Sequence, residues 1–341
     1  MTNTCSFVKA ADILYKKALK ALFSVYASID IRADLKNVPL YIKLFDSLIK
    51  PVLLYGSEIW GSALGKGNNP IEKFVNKFYR TLLGVPRNSS NIGIHAELGR
   101  FPIQVNVHQA MIKYWFRLIS LPGDRLASHC YWTILNSNTE NDPWLNTIKN
   151  ILNLSGQSHI IWNNQKMLGT QSPSTLRMHE KVITAALINV SAQNSALKMS
   201  EETKLTLLNN TKHKNALSLY LNSIPSRKQR SLFSKLRLGT LDLEVETNRK
   251  HKIPRSERFC KLCNTGEVEN ELHFILNCPT LSQVRDNFLN SLSGTNKAFS
   301  QLPPESKLRY LYFNEYLPQP ELHTAANMLE ALKVKRDALL S

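Results

Sequence analysis

The stretch Arg258-Phe-Cys-Lys-Leu-Cys-Asn-Thr-Gly-Glu-Val-Glu-Asn-Glu-Leu-His-Phe-Ile-Leu-Asn-Cys-Pro279 sets Cys260, Cys263, His273 and Cys278 in the order Cys-x2-Cys-x9-His-x4-Cys. Two cysteines at this spacing wrap both sulfurs round one ion, and Asn264-Thr265-Gly266 supplies the turn that returns the distal pair. Three thiolates and one imidazole form a closed tetrahedron with no position left for water. The expected group is therefore one structural Zn2+ per chain, not a catalytic metal. Sulfur donors disfavour magnesium and calcium. Glu267, Glu269 and Glu271 precede His273 within reach of its second ring nitrogen, while Leu272, Phe274, Ile275 and Leu276 supply apolar packing. So short a loop buries no core of its own, and metal binding is expected to supply much of its folding free energy.

The upstream flank is basic. Turned at 100° per residue, Pro225–Leu238 places Leu232, Phe233 and Leu236 on one helix face and predicts Arg227, Lys228, Arg230, Lys235 and Arg237 on the other. Arg249, Lys250, Lys252, Arg255, Arg258 and Lys261 follow directly against the metal motif. These cations suit phosphates, and Phe259 among them suits stacking on an unpaired base. Over the whole chain of 341 residues, 43 Lys and Arg against 26 Asp and Glu give a net charge of +17. The excess is local: residues 212–261 hold 13 basic and 4 acidic residues, whereas 262–341 hold 7 and 9. A field of this sign attracts polyanions, so the expected partner is nucleic acid, RNA or DNA, held chiefly by its backbone. No run of 18 apolar residues exists, which argues against a membrane partner. Five cysteines, an odd number in a long chain, do not form a secreted disulfide framework, and the expected location is intracellular, in nucleus or cytoplasm. Cys5 and Cys130 stand apart and read as small buried residues.

Elsewhere helical periodicity dominates. Residues 7–27 carry Ala10, Ile13, Leu14, Ala18, Leu19, Leu22, Phe23 and Tyr26 as one expected buried stripe. Residues 38–61 are too apolar for a surface helix and are expected in the core, broken or kinked at Pro51. Gly65 and Gly67 punctuate a loop before the stripe restarts at Ile71, and Gly84 closes that helix. Ser89 or Ser90 caps a short helix ended by Gly99. Pro102 starts a long one stopped by Pro122-Gly123, and Asp142-Pro143 opens another. Leu241-Asp-Leu-Glu-Val-Glu246 alternates as the chief strand candidate. The expected fold is mainly α, a helical bundle with a small C-terminal zinc-knuckle module and at most short strands. Its expected parts are an N-terminal helical segment over 1–100, a middle helical domain over 101–221, and a basic helix with the zinc module and C-terminal helices over 222–341.

With these residues in place, the chain resembles the C-terminal region of non-LTR (LINE-type, jockey-like) retrotransposon reverse transcriptases. The likeness is carried by Leu44-Phe-Asp-Ser-Leu-Ile-Lys-Pro-Val-Leu-Leu-Tyr-Gly-Ser-Glu-Ile-Trp60, Ala96-Glu-Leu-Gly-Arg-Phe-Pro102, Tyr114-Trp-Phe116, Arg258-Phe-Cys-Lys-Leu-Cys263 and Glu269–Cys278. It implies a thumb-like role for the first segment and a Cys-Cys-His-Cys knuckle with ligands Cys260, Cys263, His273 and Cys278. It further implies binding of template RNA or target DNA, and the remainder of a reverse transcriptase as a partner. Polymerase chemistry needs clustered carboxylates holding magnesium, yet no Asp-Asp pair occurs in the chain. No nuclease arrangement, nucleophile motif or Gly-rich phosphate loop replaces it. Three readings follow: a nucleic-acid-binding region non-catalytic by itself, the tail of an RNA-directed DNA polymerase whose palm lies elsewhere, and an α-helical interaction scaffold with a purely structural zinc.

Overall fold

Helix ends fall where the side chains that cap and break helices stand. The computed structural model describes residues 8–28, 37–63, 69–137, 142–212, 215–249 and 251–341, so the readings at Cys5, Gly65, Gly67 and Lys250 lie outside the described residues. In chain order the principal helices are α1 (Val8–Ser28), α2 (Pro70–Leu83), α3 (Asn91–Leu98), α4 (Ile103–Ser120), α5 (Leu126–Asn136), α6 (Pro143–Leu154), α7 (Pro173–Glu201), α8 (Arg227–Arg237), α9 (Glu244–Thr247), α10 (Ser282–Thr295), α11 (Pro304–Phe313) and α12 (Gln319–Leu340). Ser90 caps α3 by accepting the Gly93 N–H at 3.3 Å, and Asp142 caps α6 by accepting the Leu145 N–H at 2.8 Å, with Pro143 in the first turn. The kink foreseen at Pro51 takes the form of a π-turn over Phe45–Ile49, where the Lys50 N–H reaches back to the Phe45 carbonyl. The wider turn accommodates a ring that an α-turn would press against the carbonyl four residues earlier.

The chain forms two units, Met1–Ile31 with Ile42–Val75 and Phe101–Ser195, and Arg32–Tyr41 with Asn76–Arg100 and Ala196–Ser341. Residues 76–100, assigned by sequence to an N-terminal block, thus cluster with the C-terminal part. Periodicity shows which face of a helix is buried but not what it is buried against.

In the first unit α4 is the central helix. Val107, Met111, Ile112, Trp115, Phe116 and Ile119 bury one broad face against α5, α6 and the first half of α7. The Trp115 indole N–H donates to the Tyr131 hydroxyl at 2.8 Å, and that hydroxyl donates to Gln165, so the polar atoms of this core are paired. On α1 the buried positions are Ala11, Leu14, Ala18 and Leu22, whereas Ile13 and Phe23 are exposed, which narrows the stripe read from sequence. Over 38–61 the core reading holds for Val38, Tyr41, Phe45, Ile49, Leu53 and Trp60, but Leu40, Leu48, Tyr55 and Ile59 are exposed. Cys130 is exposed, contrary to the expected burial.

In the second unit the strand read at Leu241–Glu246 is absent. Asp242 takes a left-handed φ of 66°, which breaks extended backbone, and its N–H donates to the Glu246 carboxylate at 2.6 Å as α9 begins. Leu241, Leu243 and Val245 are nevertheless buried. Period-two burial over six residues is met equally by a turn followed by a short helix. Among the described residues no strand forms; one isolated antiparallel bridge joins Phe259 and Val268.

A buried charge network organises this unit. Arg237 donates from Nε to Glu97 at 2.8 Å, from Nη1 to the Tyr312 carbonyl at 2.8 Å and from Nη2 to Glu315 at 2.6 Å, while lying against the Tyr220 and Phe313 rings. One guanidinium thus joins α3, α8 and the end of α11. The approach is close: Gly99, at φ 62°, follows α3, and a Cβ there would lie 2.5 Å from the Ala216 carbonyl carbon. Removing one partner of a buried ion pair leaves the other desolvated and unpaired, which costs about 3–5 kcal/mol. Arg237→Met is therefore expected to lower unfolding free energy in urea by about that amount, with part recovered in the Glu97→Gln, Arg237→Met double variant. A loss below about 1 kcal/mol would show that the network does not organise the unit.

Candidate metal centre

The metal motif folds as a minimal hairpin. Cys260 N–H donates to the Glu267 carbonyl at 2.9 Å and Glu269 N–H to the Arg258 carbonyl at 3.0 Å, on either side of the Phe259–Val268 bridge. The chain then enters a π-turn at His273–Asn277, whose last N–H, that of Cys278, reaches the His273 carbonyl at 2.7 Å. This register brings together Cys260, Cys263, His273 and Cys278, with one ligand atom from each lying within 4.8 Å of the others. Bonds of about 2.3 Å to a tetrahedral ion put ligand atoms about 3.8 Å apart. The four atoms therefore fit one metal ion. Cys263 Sγ and His273 Nε2 face each other at 3.4 Å.

His273 is oriented from behind. Its Nδ1 lies 2.6 Å from the Glu267 carboxylate, so Nδ1 carries the proton and Nε2 presents its lone pair to the site. Of the three glutamates read as candidates, Glu267 has this role. Glu269 instead accepts two hydrogen bonds from Arg336 of α12, both at 2.7 Å, and the Glu244 N–H at 2.8 Å. Glu271 is held as a carboxyl above its usual range, chiefly by burial, with Arg255 and Arg249 opposing. The thiols differ in the same way. Burial pushes Cys260 up to about 12 and raises Cys278, whereas at Cys263 burial is outweighed by hydrogen bonds from Thr265, Cys260 and His273, which bring it down to about 7. Were all three thiols to ionise at this separation, a cation between them would offset their repulsion.

Four further ties hold the loop. Arg258, buried, donates to the Val245 and Ile253 carbonyls; Thr280 donates to the Leu262 carbonyl at 2.7 Å; Arg285 donates to the Cys278 carbonyl at 2.9 Å; and Lys261 pairs with Glu244 at 2.9 Å. Phe274 and Ile275 pack beneath, as expected from their apolarity. Arg285 and Arg336 were not among the sequence candidates, because nothing in local spacing ties them to a motif before them in the chain.

The basic residues divide into two groups. Arg249, Lys252, Arg255 and Lys261 are exposed around the metal loop, as are Arg227 and Lys228 at the start of α8, and Lys235 is half-buried. Lys228 pairs with Glu330 at 2.9 Å. Phe259 is 49 % exposed in the hairpin itself. Arg230, Arg237 and Arg258 are buried instead, which corrects the outward cationic face predicted for the first two and the surface role for the third. Arg230 donates to the Ile224 and Pro225 carbonyls at 2.6 and 2.7 Å. These guanidiniums satisfy backbone and carboxylate acceptors, so they are structural in the folded chain.

Comparison with protein-family profiles, with curated proteins and with solved structures gives no match for this chain.

Native mass spectrometry is expected to show one metal ion per chain, absent from the Cys260→Ser, Cys263→Ser double variant. Glu267→Gln, which keeps the ligands but weakens the hold on the ring, should lower metal affinity about 10- to 100-fold in chelator competition. Undiminished metal in the double variant would refute the ligand set. Beside the loop, burial pushes the Glu246 carboxyl up to about 7, with Glu271 adding to the shift and backbone hydrogen bonds opposing it. A carboxyl whose folded pKa lies above its unfolded value of about 4.3 makes the native state bind more protons, so its contribution falls as pH rises from about 4.3 to about 7. Glu246→Gln should accordingly raise Tm relative to the native chain by a margin that grows between pH 5 and pH 7.5; a constant margin would contradict the assignment.

Proposed function

We propose that this chain is a zinc-containing nucleic-acid-binding module of the kind found toward the C-terminal end of non-LTR retrotransposon reverse transcriptases. It acts without catalysis of its own and holds template RNA or target DNA mainly by the backbone. One observation carries the reading. An aromatic ring, Phe259, is half exposed on the hairpin that bears the Cys3His cluster, with Arg249, Lys252, Arg255 and Lys261 exposed in the same segment. Cations for phosphates beside an apolar ring for bases form the minimal surface for unpaired nucleic acid. The donor set selects the metal: three thiolates and an imidazole in a closed arrangement suit Zn2+ and leave no open position for substrate water. The second reading, an interaction scaffold with a purely structural zinc, draws on the ties from Arg258, Arg285 and Arg336, which would hold the loop in place whether or not a nucleic acid binds.

The experiment is a salt-titrated fluorescence anisotropy assay on single-stranded RNA, single-stranded DNA and duplex DNA. A single strand contributes a log–log slope of about −0.7 per phosphate neutralised. The Arg249→Gln, Lys252→Gln, Arg255→Gln variant should flatten that slope by up to about 2 while retaining metal and Tm. Arg230 and Arg237 are left out of the variant because their loss would report on stability instead. An unchanged slope overturns the interface, and absence of binding to all three probes favours the scaffold.

A further inference from the structure

Away from the metal loop, the second unit holds a cavity of about 880 Å3 lined on one side by Asn210, Thr211, Lys212, Ala216, Leu217 and Leu219 and on the other by the end of α11 with its following turn. Its floor is charge-balanced and closed. The Lys212 ammonium donates to the Ala216 carbonyl and the Ser218 hydroxyl, both at 2.8 Å, and pairs with Glu315 at 3.4 Å, while Glu315 also holds Arg237 and accepts the Leu219 N–H. That floor is thus rigid and nearly neutral. Its rim is different. Tyr316 is 77 % exposed, yet its backbone is fixed because its N–H donates to Asn314 Oδ1 at 2.9 Å. Arg309, exposed on α11, lines the same cavity and forms no ion pair among the described residues. Asn210 and Asn314 add amide groups, each both donor and acceptor.

We propose that this cavity is a second nucleic-acid contact, taking one nucleoside monophosphate unit with the base against Tyr316 and the phosphate at Arg309. The inference rests on the nucleic-acid reading above and extends it to a site that the charge distribution alone does not reveal. The size lies within the range of about 300–1,000 Å3 usual for ligand clefts. A guanidinium suits a phosphate, an aromatic face accepts any base, and paired amides reach base edges. The neutral floor favours a ligand whose charge stays at the rim. A free nucleotide and a nucleotide within a strand share this chemistry.

The test uses the full, metal-loaded chain with a 20-nucleotide oligo(A) RNA and, separately, adenosine monophosphate. Both substitutions lie at exposed positions, and Tm should remain that of the native chain. Tyr316→Ala is expected to weaken oligo(A) binding about tenfold with the salt slope unchanged, and Tyr316→Phe to restore it. Arg309→Gln should make the slope shallower by about 0.7. Calorimetric binding of adenosine monophosphate that depends on Arg309 identifies a free-nucleotide site; binding of oligo(A) alone identifies a strand site, and either supports the proposal. If Tyr316→Ala and Arg309→Gln bind oligo(A) like the native chain while the Arg249, Lys252, Arg255 triple variant at the metal loop is weakened, the cavity is refuted and the nucleic-acid reading stands. If the native chain binds no RNA, both fall. If a Glu-rich peptide binds through Tyr316 and Arg309 and oligo(A) does not, the cavity is a peptide site and the proposal is overturned.

Discussion

Within the second unit the metal hairpin is fastened through a single carboxylate, that of Glu269. It is 1 % exposed, receives Nε and Nη2 of Arg336 and takes the Glu244 N–H, while its own backbone pairs with Arg258 and Val245. Through these bonds the metal hairpin, α9 and the C-terminal helix meet at one residue. A buried bidentate pair is held by opposing large terms, desolvation against attraction, so its geometry tolerates little drift. The hairpin could not supply this from its own residues. With one isolated bridge and an exposed Phe259, it has too little apolar area to order itself, and its order draws on Arg336 and on the ties from Arg258, Thr280 and Arg285, to which an ion held by the four ligands would add.

The same economy of groups explains why the charge pattern was only partly legible. Arg230 and Arg237 look in sequence like the rest of a basic run. On a helix of 3.6 residues per turn, however, they fall roughly 60° and 40° from Phe233, on the edge of the apolar face and not opposite it. In the structure Arg237 lies against the Tyr220 and Phe313 rings and donates to the Tyr312 carbonyl, and Arg230 donates to the Ile224 and Pro225 carbonyls. Glu97, the acceptor for Arg237, lies 140 residues earlier in the chain. No local signal can pair residues at that separation, so the sequence indicates a guanidinium that needs a partner without indicating which.

The metal site was legible for the opposite reason. Its four ligands lie within nineteen residues and their chemistry is restrictive, so spacing and donor type determine the set without knowledge of the fold. The same holds for the helix ends at Ser90 and Asp142, where one side chain satisfies a backbone N–H three residues on. Legibility failed where a short pattern was compatible with two backbones, as at Leu241–Glu246, or where a large apolar residue lies beside a buried stripe without joining it, as at Ile13 and Phe23. It failed again for the cavity beside Tyr316, whose two walls lie about ninety residues apart in the chain.

Sorting the cations by burial also changes the electrostatic argument. Lys212, Arg230, Arg237 and Arg258 belong to the basic segment 212–261 but are turned inward, so the segment's outward field is smaller than its composition suggests. What remains exposed there is concentrated at the start of α8 and around the metal loop, and two of those groups, Lys228 and Lys261, already face Glu330 and Glu244. Nor would a bound metal add attraction: a dication held by three thiolates carries a net negative charge, and Glu267 behind His273 would deepen it. On the reading proposed above, attraction for a polyanion at this surface would come from Arg249, Lys252 and Arg255. A metal held there would contribute by fixing the hairpin that carries Phe259 beside them, a positional rather than an electrostatic role.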